Sequence, residues 1–287
     1  MIQAQRTACL SAAQAGAEVL LRYFRKLEPG AITEKTKNDY VSSADCEAEA
    51  AIRAELASRF PDYGFLGEEG GYIVGAAGDE GGFTPTGSRG PGGTPRPEGP
   101  GGPPGQHRWI VDPLDGTLNF IQGFPHWCVS VALWDAAGPV AGCILDPLRR
   151  DCFLAARGLG ATWNDQPMHV SLQAGLDGAF LATGFAFQLG DRWPHFNAAL
   201  GRVFPRAKGL RRAGSAALDL AHVACGIFDG FFELGLKPWD IAAGALLVTE
   251  AGGTITDWEG GQDWFQTGNL VSGAPGVAPE LLDALRG

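Results

Sequence analysis

Apolar residues recur at helical spacing near the start of the chain. Leu10, Ala13, Ala17, Leu20, Leu21 and Phe24 fall on one face at 3.6 residues per turn and predict an amphipathic first helix. Ala44, Ala48, Ile52, Leu56 and Phe60 repeat the pattern and predict a second. Ser42 stands three residues before Asp45, a spacing that resembles a capping box at the start of that helix. From residue 109 the period changes. Residues 109–111 form a short apolar run of the kind buried as a strand, and 128–134, 140–145 and 152–156 are strand-like segments parted by Gly, Pro and Asp turns, which predicts a meander. Asp146-Pro147 marks a break. Beyond it, strand segments at 180–183, 231–234, 254–257 and 270–272 alternate with helical stretches and predict an α/β second half. The expected organisation is an N-terminal α+β half, residues 1–147, and a C-terminal α/β half, residues 148–287, with the active site between them.

One stretch breaks this pattern. Between residues 70 and 105, 21 of 36 residues are Gly or Pro, too little apolar surface to offset the entropy of ordering. A mobile loop is expected. It lies between Glu68 and Asp112, so a functional lid and an inert insertion both stand as readings; the linker-like composition of 84–105 favours the inert one.

With 287 residues, 45% of them hydrophobic, the chain can bury one large core or two joined ones. A net charge of −10 argues against a nucleic-acid partner, because backbone phosphates are bound by Lys and Arg. Cysteines at 9, 46, 128, 143, 152 and 225 form no Cys-x-x-Cys pair, and no basic-then-apolar leader is present, so reduced thiols in a cytoplasmic protein are expected. No 18-residue uncharged apolar run exists, which argues against a membrane span.

The candidate chemistry lies at 109–120, WIVDPLDGTLNF. Asp112 and Asp115 follow the apolar run, Pro113 bars a regular ladder, and both carboxylates can then point at one ion. Gly116-Thr117 supplies backbone N–H groups and a hydroxyl suited to a phosphoryl oxygen at a helix start. The plainer reading is a turn in which each Asp bonds its own backbone. Two further segments favour the ion: Gly67-Glu68-Glu69-Gly70 after an apolar stretch, and Lys237-Pro238-Trp239-Asp240 opening an alanine-rich helix. Hard divalent cations such as Mg²⁺ take oxygen ligands, with water and substrate phosphate completing the shell.

Gly-Glu-Glu at 67–69, Asp-Pro-Leu-Asp-Gly-Thr at 112–117, Trp-Asp-Ile-Ala-Ala-Gly at 239–244 and Glu-Ala-Gly-Gly at 250–253 occur in that order. The set resembles the inositol monophosphatase family of Mg²⁺-dependent, Li⁺-sensitive phosphatases over nearly the whole chain apart from the insertion. The resemblance implies a layered α-β-α-β-α sandwich and commonly a homodimer. It implies that Glu68, Asp112 and the carbonyl of Leu114 hold a first Mg²⁺, and Asp112, Asp115 and Asp240 a second, in a site of two or three ions. Glu68 and Thr117 would orient the attacking water, with Asp45 beside the site, although Asp45 also has a sufficient role as a helix cap. Either Lys35 or Lys37 would lie near the phosphate. Substrate contacts would come from Asp115, the N–H groups of Gly116 and Thr117, Ser215, Ala216 and Glu233, with Asp229 a weaker match to the same rim. Arg211 and Arg212 read as surface residues, Glu69 as lying behind its neighbour, and His126 and His195 as packed, hydrogen-bonded histidines.

Two classes of function follow. One is a phosphatase of a small polyol monophosphate, foremost myo-inositol monophosphate, with histidinol phosphate, fructose 1,6-bisphosphate and 3′-phosphoadenosine 5′-phosphate as rivals. The other is a non-catalytic or moonlighting binding protein, since some bacterial relatives are thought to contact transcription components.

Overall fold

The computed structural model describes residues 1–27, 30, 32–36, 39–73, 106–185 and 189–287. Helix α1 (Ile2–Tyr23) starts eight residues before the first predicted contact, and α2 (Ser43–Arg59) follows a short antiparallel pair, β1 (Ile32–Thr36) and β2 (Asp39–Ser42). The two helices pack closely because Gly16 meets Ile52: a Cβ at Gly16 would lie 2.7 Å from Ile52 Cδ1. Their buried stripes, including Cys9, Ala13, Leu20, Ala48, Ile52 and Leu56, form one core with one face of an eight-stranded sheet.

That sheet contains β3 (Gly64–Gly67), β4 (Gly71–Ile73), β5 (Arg108–Asp115), β6 (Cys128–Asp135), β7 (Gly138–Asp146), β8 (Asp151–Ala156), β9 (Ala161–Trp163) and β10 (Gln166–Pro167), with a short helix α3 (Thr117–Ile121) after β5. From β5 to β10 it is the predicted antiparallel meander; β3 joins β5 in parallel. The expected break at Asp146-Pro147 falls at the turn between β7 and β8, inside this sheet.

The second half begins with β11 (Phe180–Thr183), α4 (Trp193–Val203), β12 (Gly209–Arg211), α5 (Ala216–Ala224), β13 (Gly230–Glu233), α6 (Pro238–Glu250), β14 (Thr254–Thr256), α7 (Trp264–Thr267), β15 (Leu270–Gly273) and α8 (Val277–Arg286). Its five strands run in the order β12-β11-β13-β15-β14. The first three are parallel, joined by helical crossovers; β15 pairs antiparallel with both its neighbours, so the sheet is mixed rather than purely parallel.

Helices α5 and α6 lie between the two sheets and share a core with both. The run of small residues makes this possible: Gly142 of β7 lies against Ala243 of α6, with room for neither to grow (3.2 Å from a Cβ at 142), and Gly244 lies against Leu220. Helices α4 and α8 cover the outer face of the second sheet. The layers therefore alternate α-β-α-β-α, the fold class expected from the sequence. Because both faces of the first sheet are covered, its strands are apolar throughout rather than alternating. No described helix is long and apolar enough to cross a membrane.

Candidate active site

The strand carrying the acidic motif runs past the apolar run 109–111 to Asp115, and beyond Asp112 its ladder is irregular, as Pro113 leads the sequence reading to expect. Asp112 stands opposite Ser130 and Asp115 opposite Cys128, so three steps on β5 match two on β6 and one residue is extra. Trp109 and Val111 face the core shared with α1 and α2, and Ile110 faces the core shared with α6. A regular strand would send Leu114 to the side of Ile110 and Asp115 to the opposite one. The extra residue reverses this, and Leu114 joins the α1–α2 core. Asp112 and Asp115 thus share a side, and Pro113, which lacks an N–H, occupies the part of the ladder where none is needed. Asp240, three positions into α6, meets them there: one ligand oxygen from each of the three carboxylates lies within 4.8 Å of the others.

The turn after the strand is equally constrained. Gly116 takes φ 97°, and a Cβ there would sit 3.0 Å from the carbonyl oxygen of His126 and 3.3 Å from that of Gly214. Asn119 Nδ2 lies 2.8 Å from the His126 carbonyl and 2.9 Å from that of Ala213, tying this turn to the loop before α5. The Thr117 hydroxyl donates to the Leu114 carbonyl at 3.0 Å and stands 3.4 Å from Asp45 Oδ1. Asp45 also completes the predicted capping box, accepting from the Ser42 N–H at 2.9 Å and the Ser42 hydroxyl at 2.6 Å. Its cap role and its place beside Thr117 coexist, one oxygen serving each.

Asp112 Oδ1 accepts the Leu114 N–H at 2.9 Å, the backbone-bonded turn of the plainer reading, while its carboxylate still faces the other two. Asp115 Oδ2 accepts the Ser215 hydroxyl at 2.5 Å and the Ala217 N–H at 2.7 Å. Asp240 Oδ2 accepts the Lys237 N–H at 2.6 Å. Glu68 is half-buried in the turn between β3 and β4, outside the three-carboxylate group but close enough to bear on the ionisation of Asp112 and Asp240.

Electrostatics set this cluster apart. Burial, then the charges of Glu68, Asp115 and Asp240, push the Asp112 carboxyl well above the usual range. Burial and Asp115 do the same to Asp240. For Asp115 burial again dominates, opposed by the hydrogen bonds from Ser215, Ala217 and Ala216. Asp45 rises to about 6, from burial opposed by the Ser42 hydrogen bonds and reinforced by Glu69. The groups that dominate Asp112 are carboxylates, a donor set of hard oxygens that fits a divalent cation such as Mg²⁺.

Ser215 caps α5 and donates to Asp115, and Ala216 opens the helix beside it. Glu233 ends β13 with its carboxylate against Gly184, where a Cβ would overlap it. Burial raises Glu233 to about 8, Arg212 lowering it and Asp115 raising it. Arg211 and Arg212 are exposed, lying over the rings of Phe180 and Phe185 at 4.6 Å and 5.2 Å. Asp229 is not a rim residue: it is buried, and its Oδ2 takes the Phe180 N–H at 2.6 Å, joining β11 to β13. His126 is packed as expected, but its Nε2 has no partner among the described residues, and burial pushes it down to about 4. His195 is exposed, its ring 5.7 Å from Trp258, rather than packed. Lys37, the side chain of Lys35, and the lid reading of 70–105 beyond Ile73 lie outside what the structure describes.

Two acidic residues escaped the sequence reading. Glu49 is buried one turn after Asp45 on α2 and accepts the N–H groups of Glu69 at 2.9 Å and Gly70 at 2.6 Å. Asp219 is buried on α5 one turn after Ser215, its Oδ1 without a partner among the described residues, and burial with Glu233 and Asp115 nearby raises it well above the usual range. The available signal was an acid on an otherwise apolar helix face at i+4 from a residue already assigned.

Known proteins share this fold. The sequence family described as the inositol monophosphatase family matches residues 3–286. Nus factor SuhB of Xylella fastidiosa is 41% identical over 253 residues, covering 88% of this chain and 81% of its own length. The crystal structure of extragenic suppressor protein suhB from Bartonella henselae is similar with a TM-score of 0.84 at 38% identity, covering 99% of this chain and 98% of that one. The inositol monophosphatase from Anabaena (Nostoc) sp. PCC 7120 gives 0.78 at 32% identity, covering 99% and 96%.

Proposed function

The chain belongs to the inositol monophosphatase family, and from that premise we propose that it is a Mg²⁺-dependent phosphatase of a small polyol phosphate monoester, foremost myo-inositol monophosphate. The observation that carries this reading is the convergence of Asp112, Asp115 and Asp240 within 4.8 Å beside a glycine-threonine turn. Those three carboxylates, with Glu68 and the Leu114 carbonyl, would hold two or three Mg²⁺ ions. Bound Mg²⁺ would supply Lewis acidity, acidifying a water and neutralising charge on the phosphoryl and leaving oxygens.

The chain's own residues do the rest. The Thr117 hydroxyl, aligned by the Leu114 carbonyl and Asp45, and the Glu68 carboxylate orient the attacking water. The N–H groups of Gly116 and Thr117 receive phosphate oxygens, and Gly116 allows the close approach because it has no side chain. Asp115 is held in one orientation through Oδ2 by Ser215 and Ala217, and its other oxygen would be the one to hold a metal ion. Glu233 accepts substrate hydroxyls, and Ser215 and Ala216 complete the substrate contacts. Catalysis is then chiefly positioning and electrostatic, with no protein nucleophile. Lithium sensitivity and a homodimer belong to the same reading.

A second reading is favoured by the name of the relatives, Nus factor SuhB: a binding role beside or in place of hydrolysis. The complete carboxylate set supports catalysis. Phosphate release should be measured from myo-inositol 1-phosphate, fructose 1,6-bisphosphate, histidinol phosphate and 3′-phosphoadenosine 5′-phosphate, each with Mg²⁺ and with EDTA. The expected result is release from the inositol ester that EDTA abolishes. Release that survives EDTA refutes the metal reading, and no release from any ester favours the binding role.

A further inference from the structure

Helix α2 reaches the site twice. Asp45 faces Thr117, and one turn later Glu49, only 6% exposed, places both carboxylate oxygens on the turn that carries Glu68. That turn is the three-residue connection between β3 and β4, closed by the Gly67–Gly71 pair with Gly71 at φ 68°. Its N–H groups at Glu69 and Gly70 would otherwise be left to solvent at the end of the hairpin. Glu49 takes Glu69 with Oε2 and Gly70 with Oε1.

The fit is close enough to dictate the flanking residues. A Cβ at Gly67 would overlap the Glu49 carboxylate, and one at Gly70 would lie 2.6 Å from Glu49 Oε1. The two glycines bracketing Glu68-Glu69 are thus the imprint of a carboxylate from another helix. On the other side, Gly67 is held in parallel register opposite Val111, the residue before Asp112.

We propose that Glu49 is a positioning residue for the metal site: by clamping the two amides after Glu68 it fixes the Glu68 carboxylate relative to Asp112, and through α2 it couples that turn to Thr117. This rests on the phosphatase reading. Glu49 touches neither substrate nor ion; it acts through the backbone it holds, as outer residues of metal sites do.

The test is Mg²⁺ titration by calorimetry without substrate, on the wild-type chain, Glu49→Gln and Gly70→Ala. Glu49→Gln sets an NH₂ group against one of the two N–H donors. Gly70→Ala leaves the carboxylate in place but drives it from its seat, and Gly70 is exposed, so the fold has no other reason to object. Both variants should bind Mg²⁺ about tenfold more weakly, with the substrate KM at saturating Mg²⁺ unchanged. Mg²⁺ affinity within twofold of wild type in both variants overturns the proposal, even if their melting temperatures fall, because a purely structural role would lower stability alone. A wild-type chain that takes up no Mg²⁺ overturns the phosphatase reading first, and the clamp with it.

Discussion

Replacing Ser215 by alanine tests how the second half of the chain holds a carboxylate of the first. The Ser215 hydroxyl donates to Asp115 Oδ2 at 2.5 Å and accepts the Leu218 N–H at 3.4 Å as the α5 cap. A hydrogen bond to a buried charged group contributes about 1.5–3 kcal/mol, and a cap this long adds about 0.5 kcal/mol. Asp115 keeps the Ala217 N–H at 2.7 Å and a thiol contact from Cys128 at 3.8 Å, so a loss of about 2–3 kcal/mol is expected. For a chain of this size that corresponds to a fall in Tm of roughly 4–9 °C. The sign on ionisation is also fixed. Ser215 is the strongest group holding the Asp115 carboxylate in its charged form, so its removal raises the Asp115 pKa further, and the proton then competes with Mg²⁺. Thermal melts in EDTA and in Mg²⁺, at pH 6 and pH 8, should show the destabilisation in all conditions and a Mg²⁺-induced gain that shrinks most at pH 6. A Tm within 1 °C of wild type, or a Mg²⁺ gain that does not depend on pH, refutes the reasoning.

Asp112→Asn should abolish most turnover and the stabilisation by Mg²⁺. In EDTA it should leave Tm unchanged or raise it, because burial and three neighbouring carboxylates oppose the charge it removes; near wild-type kcat would dismiss Asp112 as a ligand. Glu233, raised from 4.5 to about 8, binds its proton more tightly folded than unfolded, so its ionisation costs stability as pH rises from about 4.5 to 8. The shift bounds the effect at about 5 kcal/mol. Metal-free Glu233→Gln should gain on wild type across that window, read as a difference because His126, pushed down to about 4, favours the fold as pH rises from 4 to 6.5; a difference independent of pH would show that Glu233 is not desolvated.

The parts legible in the sequence were those with short-range signals. Helices α1 and α2 announced themselves by period, the meander by its turns, and the layered fold through ordered motifs. Asp112, Asp115 and Asp240 were visible because each sits at a local discontinuity: a proline, a glycine, a helix start. What stayed hidden depended on partners distant in sequence. Glu49 bonds residues twenty and more positions away, and its one local signal, a place on the apolar face of α2, does not say which. Asp229 looked like a rim acid until its bond to Phe180, 49 residues away, showed it as a strap between strands. The course of β5 was legible in part. Pro113 reads as barring a regular ladder, and it does; that the strand runs on past it through a bulge depends on its pairing with β6.

A strand sorts residues by parity, odd numbers to one face and even to the other, and β5 changes parity once, between Asp112 and Asp115. Before that point the odd positions, Trp109 and Val111, face the α1–α2 core; after it the even one, Leu114, does. Were the extra residue absorbed into a regular ladder at this length, Leu114 and Asp115 would go to the wrong faces together, while composition, charge and every motif residue stayed the same. Substitution can weaken this site by degrees. Loss of the bulge would switch it off at one stroke.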